Sequence, residues 1–233
     1  ELRESEERLG LALDAAQDGM WDWNLRTGAL FFSSRCYTML GFEAHEFPDT
    51  FRAWKTLLHP DDRRRAATMI WSHLRSNDTG FSVDFRLRNK SGHWTWSLCR
   101  GRLIASDSDG PGRVVGTLTD ITARKRAEAV MAARMRLLTL ARTGTLSELL
   151  VATLDEAEAL TESHVGFYHF LEQDQVTLSL QAWSTHTPSQ MWTAEGAGSH
   201  YPVDQAGVWV DAVHQRAPVI HNDYASLPHR KGL

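Results

Sequence analysis

Residues 81–88 read Phe-Ser-Val-Asp-Phe-Arg-Leu-Arg, an unbroken alternation of apolar and polar side chains. Successive side chains of a strand point to opposite faces, so Phe81, Val83, Phe85 and Leu87 share one face and Ser82, Asp84, Arg86 and Arg88 the other. A helix, with its 3.6-residue period, would mix the two sets. The stretch is a β-strand with one covered face, and such a strand needs partners. They are legible on both sides. After the turn Lys90-Ser91-Gly92, Trp94, Trp96 and Leu98 repeat the pattern, with Gly101 marking a bulge or bend. Beyond the loop Asp107-Ser108-Asp109-Gly110-Pro111-Gly112, residues 113–121 form a third long strand. Nearer the start, Trp21, Trp23 and Leu25 fall on one face of an alternating run, and Arg26-Thr27-Gly28 turns it into Ala29-Leu30-Phe31-Phe32 as a hairpin.

Helical signals fill the space between. Residues 1–17 place Leu2, Leu9, Leu13 and Ala16 on one helical face, and Asp18-Gly19 breaks the run. Short helical pieces follow between Ser34 and Leu58, punctuated by Gly41 and Pro48. His59-Pro60-Asp61-Asp62 starts a longer helix. Proline suits the first helical position, and two aspartates there complement the macrodipole by about 0.3–1 kcal/mol each. Ala66, Met69, Ile70, His73 and Leu74 continue it at helical spacing, and Asn77-Asp78-Thr79-Gly80 ends it. Two strands, helices, then three sequential antiparallel strands make an α+β domain.

Thr122 is placed to cap the next helix, although Lys125 stands where a capping box wants Glu or Gln. That helix carries Ala127, Met131, Met135, Leu138 and Ala141 along one narrow stripe, with Arg124, Lys125, Arg126, Arg134 and Arg136 largely occupying the rest. A long helix with a narrow apolar stripe meets another helix, so Met131, Met135 and Leu138 are expected to form a helix–helix, homodimer contact. Gly144 interrupts it, and Leu146 to Leu160 resumes. A second unit opens with a hairpin of residues 165–171 and 176–182, Val176, Leu178, Leu180 and Ala182 alternating against Thr177, Ser179 and Gln181. Ala206, Trp209, Val210 and Val213 suggest a short helix, and Pro218-Val219-Ile220 a brief strand. The division is residues 1–17 as an N-terminal amphipathic helix, 18–122 as the first domain, 123–160 as connecting helices, and 161–233 as a second, incomplete α+β domain.

Composition removes whole classes of function. Of 233 residues 42% are hydrophobic and the formal charge is −4, which argues against a chain built to grip nucleic acid. No apolar run approaches the ~20 residues that cross a bilayer, and Glu1-Leu2-Arg3-Glu4 opens no signal-peptide core. Cys36 and Cys99 give no disulfide framework and no Cys-x-x-Cys, which fits a reducing, cytoplasmic setting. They read as small buried hydrophobes. His164 and His169, five apart, face opposite sides of a strand and make no chelate. His186 and His221-Asn222-Asp223 are polar loop residues. No phosphate loop follows Asp109-Gly110-Pro111-Gly112, and Gly-x-Ser-x-Gly is absent. Neither a catalytic constellation nor a metal site emerges.

One ordered set of short motifs remains. It runs Gly19-Met20-Trp21-Asp22-Trp23-Asn24-Leu25, Met39-Leu40-Gly41-Phe42, Trp54 and Leu58-His59-Pro60-Asp61-Asp62-Arg63. It continues with Phe85-Arg86-Leu87-Arg88, Gly92-His93-Trp94-Thr95-Trp96, Arg100-Gly101 and Val115-Gly116-Thr117, and closes at Asp120-Ile121-Thr122-Ala123-Arg124-Lys125-Arg126-Ala127-Glu128. This text resembles the PAS family of sensor domains, in its third and most tryptophan-rich subtype. Gly166-Phe167-Tyr168, Trp183-Ser184-Thr185, Ala206-Gly207-Val208-Trp209 and Pro218-Val219-Ile220-His221-Asn222-Asp223-Tyr224 resemble the first part of a GAF domain.

The resemblance implies an α+β PAS domain with a five-stranded antiparallel sheet, a connecting helix and a partial GAF domain. It implies a non-enzymatic sensory input module of a bacterial histidine kinase or diguanylate cyclase, which detects a small molecule or a partner. Asp120, Ile121 and Thr122 fill the family's Asp-Ile-Thr position, where the last strand feeds an output helix. Trp54, Phe85 and Trp96 are the candidate pocket-lining residues. The ligand itself is not legible. No cofactor is indicated: the flavin motif Asn-Cys-Arg-Phe is missing, and no cysteine after Cys99 serves a bilin. Haem is left open, because one histidine suffices for it. A downstream effector domain of the same parent chain is the expected partner. A GAF sheet uses about six strands and residues 164–233 offer about three, so the native protein is expected to continue past Leu233.

Overall fold

The computed structural model describes residues 4, 15, 17–76, 80–104, 112–187, 200–203, 207–223 and 226–227; side chains at 74–76, 201 and 209 are outside the description. The expected helix over 1–17 lies outside the described residues except for Glu4 and Ala15, both helical, and Gln17, which is in a turn. Contacts group the chain into two units that meet between Arg126 and Ala127, and each is taken by itself.

In the first unit, strands β1 (Gly19–Asn24) and β2 (Leu30–Phe32) form the expected hairpin. The Asn24 side chain accepts hydrogen bonds from the Arg26 and Thr27 N–H groups, and Gly28 takes the positive φ of 74° that the tight return demands. Helices α1 (Ser34–Thr38), α2 (Phe51–Leu57) and α3 (Pro60–Ser76) follow, then β3 (Phe81–Arg88), β4 (Trp94–Ile104) and β5 (Arg113–Asp120). All pairs are antiparallel, in the order β2-β1-β5-β4-β3. Phe81, Val83, Phe85 and Leu87 are all buried, the last two completely, against Trp21, Phe32, Tyr37, Leu58, Ile70 and Leu118. Burying one such side chain is worth about 1.5–3 kcal/mol, so this face holds the unit together.

Gly101 marks no bulge. The β4–β5 register runs unbroken through it, with Gly101 opposite Gly116. Its real reason is the Trp21 indole. A Cβ at Gly101 would lie 2.5 Å from the Phe81 ring and 2.8 Å from that of Trp21, and one at Gly116 would collide with the Arg100 carbonyl and the same indole. Two bare backbones side by side make the slot in which Trp21 is buried.

The free edge of β3 is covered by the start of α3. His59 N–H donates to the Arg86 carbonyl at 2.9 Å, and Asp62 Oδ2 accepts the Arg86 N–H at 2.9 Å. The Arg65 guanidinium reaches the Asp84 carbonyl at 2.5 Å. The His59–Asp62 motif thus does more than start a helix: it occupies backbone groups that an exposed edge would offer to another chain.

The second unit carries most of α4 (Thr122–Thr143), then α5 (Leu146–Thr161) and a three-stranded antiparallel sheet, β6 (Phe167–Leu171), β7 (Thr177–Trp183) and β8 (His200–Pro202). Thr145 and Glu148 form a reciprocal capping box at the start of α5. Arg136 on α4 grips Glu156 on α5 through two hydrogen bonds of 2.5 and 2.7 Å. Leu178, Leu180 and Ala182 are buried as expected, but Val176 is 60% exposed because it sits in the turn rather than the strand. Pro218-Val219-Ile220 is not a strand, and Ile220 is 82% exposed. A 3-10 turn (Val208–Val210) runs into α6 (Asp211–Gln215), where a short helix was expected; Ala206 lies outside the described residues.

Candidate functional site

Two features of the first unit lie on opposite faces of one sheet. On the inner face, between the sheet and helices α2 and α3, is a cavity of about 40 Å³. Trp21, Trp23, Phe51, Trp54, Ile70 and Cys99 are among its walls. A water needs about 10–15 Å³, so the space admits a few atoms without movement of the walls. The aromatic walls are braced: Trp23 stacks on Phe51 with ring centres 5.0 Å apart, and Trp54 meets Phe85 edge-on at 5.3 Å. Of the three residues expected to line a pocket, only Trp54 does. Phe85 is fully buried behind it. Burial pushes the Cys36 thiol up to about 11 and raises that of Cys99 further, so both are protonated at neutral pH.

Trp96 lies on the other face. It pairs across the sheet with Arg86, whose side chain points away from the Phe85 side. Alternation shows that Trp94, Trp96 and Leu98 share a face but not which face. In β4 the inward set is Thr95, Ser97 and Cys99, all buried. The outward Trp96 ring is flanked by cations, with Lys125 Nζ 5.0 Å and Arg86 Cζ 5.3 Å from its centre.

Around that ring α4 is fastened to the sheet. Ile121 N–H donates to the Trp96 carbonyl at 2.8 Å, and Trp96 N–H donates to Thr122 Oγ1 at 3.0 Å. Thr122 therefore does not cap α4 as expected, since its hydroxyl is engaged by β4. Asp120 Oδ1 instead accepts the Thr122 N–H at 2.8 Å, satisfying one orphan donor of the first turn. One turn on, Lys125 Nζ lies 2.7 Å from Asp84 Oδ2. Arg65 of α3 holds the other Asp84 oxygen at 3.0 Å. The Lys125 hydrogen bond, opposed by burial and helped by Arg65, holds the Asp84 carboxyl below the usual carboxylate range. Beside it Asp62 receives Arg86 Nε at 2.9 Å and Nη2 at 3.1 Å. Burial pushes the Asp62 carboxyl up, but the Arg86 hydrogen bonds outweigh it and its pKa lies below normal. A ladder of charge thus runs from α3 (Asp62, Arg65) through β3 (Asp84, Arg86) to α4 (Lys125).

Asp120, Ile121 and Thr122 are brought together with Trp96 by this junction. Met131, Met135 and Leu138 are not in it. They stand on the following turns of α4, exposed at 62, 63 and 62%.

Comparison with known families is decisive at this point. The model of the PAS fold matches residues 29–118, and that of the GAF domain matches 143–233. The chain carries a PAS domain followed by GAF-domain sequence. The chain is 33% identical over 134 residues to the methyl sulfide methyltransferase-associated sensor of Methanosarcina acetivorans, covering 54% of this chain and 13% of that protein. It is 30% identical over 116 residues to the sensor protein FixL of Bradyrhizobium diazoefficiens, covering 50% of this chain and 23% of the relative. Histidine kinases and a probable diguanylate cyclase are also among its relatives. The chain thus spans less than a quarter of the length of the two sensors it matches. Among solved structures, a sensory box histidine kinase/response regulator from Burkholderia thailandensis is 38% identical, with a TM-score of 0.49, over 57% of this chain and 99% of that one. No helix among the described residues is long and apolar enough to cross a membrane.

Proposed function

We propose that this chain is the sensory input module of a larger signalling protein, in which the PAS cavity takes a small uncharged molecule and α4 carries the result onward. The observation that supports this best is the single sheet shared by both features. Its inner face forms the cavity wall and its outer face grips α4 through Trp96, Thr122, Lys125 and Asp84. A ligand that displaces Trp54 or Ile70 shifts α3 and β3, and Asp62, Arg65 and Arg86 join those elements to the rungs that hold α4. Two packings of the junction then give two positions of the helix.

The cavity walls suit an apolar ligand. Among the described lining residues none is a histidine or a carboxylate, and Cys99, the sulfur among them, is held protonated by burial; in a space of about 40 Å³ we read the site as one for a small molecule rather than for haem. The exposed Met131, Met135 and Leu138 are read as the seam of a homodimer, and the parent as a cytoplasmic kinase or cyclase with its effector domain elsewhere in the chain. Titrating benzene as an apolar probe, followed by NMR, tests the proposal. Resonances of Ile70 and Leu118 should shift together with the amides of residues 121–126. Shifts confined to the cavity would refute the coupling, and no shift at all would refute the site.

A further inference from the structure

In the second unit, three chemistry-bearing side chains converge where the chain leaves β7. Asp155 and Glu158 are three apart on α5 and so project from one face of the helix. His186 comes from the segment after β7, and each of the three offers one ligand atom within 4.8 Å of the others. The grouping is not read from adjacency in sequence; only the fold brings His186 to α5.

Both carboxylates are already oriented. Thr185 donates its N–H to Asp155 Oδ1 and its hydroxyl to Oδ2, each at 2.7 Å. The Ser184 hydroxyl donates to Glu158 Oε1, and Thr187 Oγ1 reaches the same oxygen at 3.5 Å. That leaves Glu158 Oε2 facing His186 Nδ1 at 3.6 Å. Glu158 is only 7% exposed, and Ser184 and Thr187 are essentially buried. Such outer hydroxyls, which fix the direction of a carboxylate, are the usual support of metal ligands.

The charge balance points the same way. A buried carboxylate requires a compensating charge, and a second carboxylate within 4.8 Å raises the cost. Among the described residues no lysine or arginine forms an ion pair with either acid; the partner shown for Glu158 is His186. A divalent cation would neutralise the pair. One imidazole and two carboxylates are a ligand set for Zn²⁺ or a neighbouring first-row ion, not for Ca²⁺ or Mg²⁺, which prefer all-oxygen shells. Tetrahedral Zn²⁺ bound at about 2.0–2.1 Å keeps its ligands roughly 3.3 Å apart, so closure requires a small contraction. The His186 side chain is 69% exposed, so that contraction does not fall on the core.

We propose that Asp155, Glu158 and His186 form a divalent transition-metal site that ties α5 to the end of β7, with Zn²⁺ as its fitting ion. Binding would stiffen the step between the connecting helices and the second sheet, making the module responsive to metal as well as to its PAS ligand. The proposal does not depend on the PAS reading.

The test uses the full chain, tag-free and stripped with chelator. Co²⁺ is titrated in the visible region, and Zn²⁺ is followed by competition with a chromophoric chelator. One ion per chain is expected, with a tetrahedral Co²⁺ spectrum that Zn²⁺ displaces. His186→Ala and Asp155→Asn, at sites whose loss leaves the core packed, should each weaken Zn²⁺ at least tenfold while circular dichroism stays unchanged. Affinity unchanged in both variants, or no Co²⁺ spectrum in the wild type, would overturn the site. Glu158 is the wrong first substitution, because its burial makes misfolding the simpler outcome.

Discussion

Asp62→Ala perturbs the rung of the ladder that can be worked most completely. Asp62 is 5% exposed and receives three hydrogen bonds from Arg86, at 2.9, 2.9 and 3.1 Å. Breaking a buried ion pair by removing one partner costs about 3–5 kcal/mol, because the other charge is stranded. Here the Arg86 side chain is 27% exposed and keeps Asp61 at 3.7 Å, so water and a second carboxylate relieve part of that. The cost should fall to about 2–3 kcal/mol. In a domain of this size each kcal/mol moves Tm by roughly 4–8 °C, giving a fall of about 10–20 °C for the PAS unit. Urea unfolding followed by tryptophan fluorescence measures it. The pH dependence is a second check. Asp62 and Asp84 both have depressed folded-state pKa values, so their stabilisation is present above the unfolded carboxylate pKa near 4 and is lost as pH falls through the folded values. Asp62→Asn should flatten part of that acid loss. A cost below about 0.5 kcal/mol for Asp62→Ala would refute the idea that this pair holds α3 to the sheet edge.

Gly116→Ala should destabilise the PAS unit by more than about 2 kcal/mol in the same urea assay, since its methyl has nowhere to go but into the Arg100 carbonyl and the Trp21 ring. Thr145→Ala removes the capping box of α5 and should cost about 1 kcal/mol, read from the thermal transition of the second unit. Native Cys36 and Cys99 should resist a thiol-specific disulfide reagent at pH 8 and react only on unfolding. With the Cys36 pKa near 11 about one thiol in a thousand is ionised there, and burial shields both; modification of native protein within minutes would contradict the burial.

The strands were readable because alternation is a local property. Phe81, Val83, Phe85 and Leu87, and likewise Leu178, Leu180 and Ala182, are buried in the fold as their sequence demands. What alternation cannot show is the direction of a face. Trp96 is expected to line a pocket, and only the contacts that the first turn of α4 makes through Thr122 and Lys125 explain a tryptophan on the outer face. Gly101 misled for a related reason: its purpose is a contact with Trp21, 80 positions away in the chain. Thr122 and Asp62 read as helix-start residues, yet their partners are strand groups, Trp96 N–H and Arg86, which no helix signal encodes. The Thr145-Leu146-Ser147-Glu148 capping box, by contrast, is explicit in the sequence and was there to be read. Val176 and Ile220 are apolar residues left exposed, a reminder that composition alone does not bury a side chain.

The central claim is that the cavity and the output helix are coupled through one sheet, and amide hydrogen exchange across residues 121–130 tests it most directly. Ile70→Phe fills the cavity from α3 without touching the junction, and Lys125→Ala removes the rung on α4 without touching the cavity. Filling the cavity should change protection at residues 121–126 by at least about threefold in the otherwise wild-type chain, and that change should vanish when Lys125→Ala is added. Unchanged protection of those amides in a folded Ile70→Phe protein would contradict the account, as would a change that persists in full without Lys125.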